Sequence, residues 1–166
     1  MPDALVVVTR VISEHHTIRE HVRLAGDTIN DIEAFLTLQR TQSGWSQASI
    51  TTLAAKQDQL LQAISFLEQG LTNHFGFEED NFLPLLGELL AKAILREHNE
   101  VSRRVKGVKT TLTSTKLEGL EQQELLSKRS VIQHGINDLR QAVEEHAQHE
   151  EAILNMMKKA LEEETS

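Results

Sequence analysis

A Glu-His pair followed much later by His-x-x-x-Glu-Glu occurs twice in the sequence. The first copy is Glu14-His15 with His74, Glu78 and Glu79; the second is Glu97-His98 with His146, Glu150 and Glu151. A histidine and a glutamate four residues apart on a helix lie one turn apart on the same face, so both can be aimed at one ion inside a bundle. There is no cysteine, which removes thiolate metal sites, disulfides and thiol nucleophiles together. Imidazole and carboxylate donors without sulfur suit iron, manganese or zinc, and the doubling points to two ions bridged by the two glutamates, Glu78 and Glu150.

Such ligands must be held by long helices. With 2 prolines and 8 glycines in 166 residues, little punctuates the chain, and one domain of this length can bury a continuous core. Apolar residues recur at steps of three and four from Val8 through Val11, His15, Ile18, Val22, Ala25, Ile29 and Ile32 to Leu36. A second stripe runs Leu53, Leu60, Ile64, Leu67, Leu71, His74, Glu78, and a third runs Leu90, Ile94, His98, Val101, Val105, Val108, Leu112. The fourth carries Leu125, Ile132, Ile136, Leu139, Val143, His146, Glu150, Ile153 and Met157. This periodicity predicts four helices at about 4–39, 48–86, 88–113 and 117–162. Thr41 to Ser46 reads as the first loop, Pro84 and Gly87 as the end of the second helix, and Thr113-Ser114-Thr115 as the break before the fourth. Each helix has one interior seam, which predicts an all-α, up-down-up-down antiparallel four-helix bundle in a single domain spanning 1–166.

The seam positions carry the argument for a metal. Two positions in seven would place roughly two of the eight histidines on a seam by chance; four lie there, one per helix. A lone seam histidine is ordinarily a hydrogen-bonded core residue, and a lone His-x-x-x-Glu pair ordinarily a surface ion pair. Together they differ, because Glu78 and Glu150 each fall one turn past a seam histidine, and a carboxylate inside a bundle is costly unless it is paired or binds a cation. The expected ligands are therefore His15, His74, Glu78, His98, His146 and Glu150. His16, His21 and His134 fall on outer faces, and His149 flanks the Glu150 face, where it could support a ligand by a hydrogen bond. The Glu-x-x-His spacing of ferritin-like di-iron bundles does not occur: Ile12, Leu71, Leu95 and Val143 stand three residues before the four seam histidines.

The formal charge of -8 speaks against nucleic acid, which wants a basic face. No apolar segment reaches the length of a membrane span, and the first residues lack the basic leader and cleavage site of a secretory signal, so the expectation is a cytoplasmic protein without a membrane partner.

Four phrases together resemble the hemerythrin-like, or HHE cation-binding, domain. They are Glu14-His15-His16-Thr17-Ile18-Arg19, then His74-Phe75-Gly76-Phe77-Glu78-Glu79-Asp80-Asn81-Phe82-Leu83-Pro84, then Arg96-Glu97-His98-Asn99-Glu100-Val101, and finally His146-Ala147-Gln148-His149-Glu150-Glu151. The resemblance covers nearly the whole chain. It implies a non-haem di-iron centre with His15 and His74 on one iron, His98 and His146 on the other, and Glu78 and Glu150 bridging both; zinc or manganese could substitute. It also implies a protein that interacts with O₂ or a related small oxidant, by oxygen binding, sensing or iron handling. A di-iron oxidase or peroxidase, or a nitric-oxide or iron-centre repair protein, is the alternative within the same resemblance. Oxygen-carrying hemerythrins place a second histidine one turn from the helix-three ligand; here those positions are Ile94 and Ser102. With no tyrosine and one tryptophan, Trp45, the chain offers few radical relays. A binding module therefore fits better than a committed enzyme.

Overall fold

The computed structural model describes residues 3–41, 46–114 and 122–164. Four helices form an antiparallel bundle: α1 (Ala4–Thr41), α2 (Gln47–Asn81), α3 (Glu88–Ser114) and α4 (Gln122–Glu164). Each packs against two neighbours, α1 on α2 and α4, and α3 on α2 and α4. Among the described residues there is no strand, and no helix is long and apolar enough to cross a membrane.

The ends follow local chemistry. α2 begins at a reciprocal cap: the Ser46 hydroxyl accepts from the Ser49 amide, and the Ser49 hydroxyl accepts from the Ser46 amide, which satisfies two donors that the first turn leaves free. Its other end comes earlier than the periodicity predicts, at Asn81 rather than near residue 86. Pro84 cannot donate a backbone hydrogen bond and disfavours helical geometry in Leu83. The chain therefore tightens into a 3₁₀ turn over Leu83–Leu85, with the Leu85 amide on the Phe82 carbonyl at 2.9 Å and the Leu86 amide on the Leu83 carbonyl at 3.0 Å. Most of the expected first loop, including Trp45, and the stretch 115–121 lie outside the described residues.

Nearly every predicted seam residue is buried, and two ends of stripes differ. Leu90 is 39% exposed, because the face that holds Ile94 continues one turn back to Ala91 rather than to Leu90. Past Glu150 the buried position is Leu154, four residues on, while Ile153 and Met157 are only half-buried beside it. The Leu125 side chain lies outside the described set. The core has two apolar parts. A long one runs from Ile18 through Leu71 and Val101 to Val143, and a short one comprises Val7, Val8, Val11, Phe82, Leu83, Ile94 and Leu154. Between them, at the same level on all four helices, lies one polar layer.

Candidate metal centre

That layer consists of His15 on α1, His74 and Glu78 on α2, His98 on α3, and His146 and Glu150 on α4, all buried. The six residues expected from the seams are thus brought to one place. They form two overlapping groups, each with its ligand atoms within 4.8 Å of one another: His15, His74, Glu78 and Glu150, and Glu78, His98, His146 and Glu150. Both glutamates belong to both groups.

The four imidazoles turn Nε2 toward the bundle axis. From Glu78, Oε1 lies 2.6 Å from His74 and 3.4 Å from His15, while Oε2 lies 2.8 Å from His98; one carboxylate therefore offers an oxygen to each group. Glu150 Oε1 lies against His146, 3.7 Å from His98 and 3.9 Å from His15. Despite these approaches, none of the eight axis-facing atoms, the four Nε2 and the four carboxylate oxygens, makes a hydrogen bond. Buried polar atoms are almost always satisfied, and two buried carboxylates without donors are among the costliest arrangements a core can hold. A cation can satisfy all eight at once, so the donor set fits a metal.

The opposite edge of each ring meets a second carboxylate. His74 Nδ1 donates to Glu14 at 3.3 Å and His98 Nδ1 to Glu79 at 3.1 Å, while His15 Nδ1 faces Glu151 and His146 Nδ1 faces Glu97, each at 3.5 Å. The pattern is a closed circuit: a glutamate on α1 supports the histidine on α2, α2 supports α3, α3 supports α4, and α4 supports α1. At His74 and His98, where the hydrogen bond forms, an ionised carboxylate can only accept, which places a proton on Nδ1 and leaves Nε2 to face the axis. The sequence contains these four glutamates as neighbours of the ligands, yet their role was not legible there. A residue adjacent to a seam ligand points about 100° away, toward the next helix, and only the packed bundle shows that the next helix presents a histidine.

Electrostatics agree with a site built for positive charge. Burial raises the Glu78 carboxyl, but the imidazoles of His15, His74 and His98 outweigh it and hold it below the usual carboxylate range. Burial lowers His98, yet Glu150, Glu78 and Glu79 push it up to about 10, and His74 is raised by Glu78 and Glu14 against the same burial. Aromatic packing is unequal. Phe75 stacks on His98 at 4.0 Å and meets His146 edge-on at 5.5 Å; the residue in the corresponding place of the second copy is Ala147. Beside it lies a small, partly open pocket of about 10 Å³, lined by His15, Arg19, His74, His146, Leu71, Val101 and Val143 among others.

The remaining histidines lie off the axis. His16 and His134 are exposed. His21, expected on an outer face, is half-buried instead, its ring over Gly70, where an added Cβ would meet Nδ1 at 3.2 Å. His149 is exposed and bonds Glu97 at 2.8 Å rather than Glu150, so it reaches the layer through the carboxylate behind His146.

In comparisons with known proteins, the sequence model of the hemerythrin HHE cation binding domain matches residues 12–157. No curated protein and no solved structure gives a match.

Proposed function

Since the chain belongs to the hemerythrin HHE cation-binding domain family, we propose that it is a non-haem di-iron protein that interacts with O₂ or a related small oxidant. In this proposal His15 and His74 hold one ion, His98 and His146 the other, and Glu78 and Glu150 span the two; zinc or manganese can take the same donors. The observation that carries it is the set of eight buried, axis-facing donor atoms without a hydrogen bond. Two bound irons would supply one-electron redox chemistry and a place for the oxidant. The protein's own residues orient and insulate. Glu14 and Glu79 fix the rings of His74 and His98 by hydrogen bonds, Glu97 and Glu151 face those of His146 and His15, and the apolar groups on both sides of the layer keep bulk water away.

A small pocket of about 10 Å³ beside the layer has room for roughly one water-sized molecule. A second reading, an oxidase or peroxidase, draws on one feature: a cleft of about 340 Å³ between α2 and α3 that reaches His98 and Glu79 and could seat a larger reductant. Anaerobic loading with ferrous iron followed by air separates the two. Visible bands that appear and vanish on evacuation support binding or sensing, whereas turnover of added peroxide supports the enzyme. A metal-loaded protein that does neither refutes the proposed oxidant chemistry.

A further inference from the structure

Each group has one outer carboxylate hydrogen-bonded to its histidine and one 3.5 Å away, so the four divide evenly toward the histidines but not toward the solvent. Glu151, behind His15, is gripped by the Arg19 guanidinium through both oxygens, at 2.5 and 2.9 Å, and Arg19 also holds Glu144. Glu14, behind His74, is bonded by Arg10 at 3.1 Å, and that guanidinium is itself fixed over the Phe77 ring, 3.7 Å from its centroid. Both carboxylates of the His15/His74 group therefore carry a permanent cation. The His98/His146 group differs. Glu97 meets the exposed imidazole of His149 rather than a guanidinium, and Glu79 opens into the α2–α3 cleft beside Asn99, Ser102 and Lys106. Among the described residues no lysine or arginine lies within ion-pair distance of either one.

A carboxylate on Nδ1 raises the electron-donating power of Nε2, and it does so less when a guanidinium draws its charge the other way. A fixed positive charge near a site also repels an incoming divalent cation, most strongly where burial lowers the dielectric constant. Both effects act in the same direction. Resting on the two-metal reading above, we propose that the two metal positions are inequivalent, and that the His98/His146 position binds a divalent cation more tightly than the His15/His74 position. Arg10 and Arg19 are the positioning residues that weaken the latter. Ligand counts alone predict no such difference, because each group has two histidines and shares both glutamates.

The test uses the full chain loaded with Zn²⁺, a redox-inert probe, and a competing chelator at low ionic strength. Two ions should leave in separate steps whose affinities differ by about tenfold or more, the range typical of changes behind a metal ligand. Arg10→Gln, on the surface and safe for folding, should tighten the weaker step several-fold and leave the tighter one unchanged; Arg19→Gln should do the same more strongly. His98→Gln should abolish the tight step and His15→Gln the weak one, with helix content checked by circular dichroism. Two equivalents that leave together, a tight step lost in His15→Gln, or arginine variants that leave the spacing unchanged would each overturn the inference while two-metal binding stood. A total near one equivalent or less would overturn the two-metal reading and this inference with it.

Discussion

Chelating the metal from the loaded protein at pH 7 should lower its melting temperature by roughly 10–20 °C. A ligand that binds only the folded state adds RT ln(1 + [L]/Kd), about 2.7 kcal/mol at a hundredfold excess over Kd. Two such sites give about 5 kcal/mol, and a chain of this size moves by about 2–4 °C per kcal/mol. What remains after chelation is a core layer with Glu78 and Glu150 fully buried and all four of their oxygens without a hydrogen bond. Protons then take the place of the metal. Burial opposes charge on His98, but Glu150, Glu78 and Glu79 hold it at about 10 against its ordinary 6.5. A raised folded-state value gives stability that is complete below about pH 6.5 and is lost as pH rises toward 10. The metal-free protein therefore weakens with rising pH, whereas the loaded protein weakens in acid, where ligand protonation competes with the metal. Thermal melts by circular dichroism at pH 5, 7 and 9, with and without chelator, should show a gap that widens from pH 5 to pH 9. Equal melting temperatures at pH 7, or a gap that grows in acid, would refute the reasoning.

Truncating Phe75 to alanine should destabilise the protein by about 3–5 kcal/mol, the usual loss for a buried aromatic, and should shift the iron charge-transfer bands because His98 loses its stacking partner; melts and visible spectra on one sample check both. His16→Gln with His134→Gln should leave metal content unchanged, since both side chains are exposed away from the layer, while His98→Gln should alter the spectrum. Gly26 sits inside α1 with open space where a Cβ would go, so Gly26→Ala should stabilise by about 0.5–1 kcal/mol, and a lower melting temperature would contradict the helix there.

Much of this centre could be read from the chain because its ligands share the rhythm of the core. His15, His74, His98 and His146 occupy positions where the stripes demand an apolar residue, and Glu78 and Glu150 stand one turn further on, so the same 3.6-residue period that predicts four helices also predicts the layer. Periodicity fails where a residue acts sideways. Glu14, Glu79, Glu97 and Glu151 are neighbours of the ligands in sequence, but each serves a histidine on a different helix, and that pairing depends on rotation and level between helices. Arg19 was legible only as part of the first motif phrase, because its partners Glu144 and Glu151 lie more than a hundred residues away. The early end of α2 was half legible: Pro84 marked it, yet the 3₁₀ turn consumed residues that the stripe count had assigned to helix. His21 was misplaced because a glycine on the facing helix, Gly70, opens room that a larger residue would have closed.

Iron analysis of the full chain after anaerobic ferrous loading and removal of loose metal tests the central claim most directly. Two irons per chain are expected for the unaltered protein, falling to one or fewer in His74→Ala and in His146→Ala, whose Nε2 atoms lie against Glu78 and Glu150. An unaltered protein that holds well under one iron per chain, or variants that keep both, would contradict it.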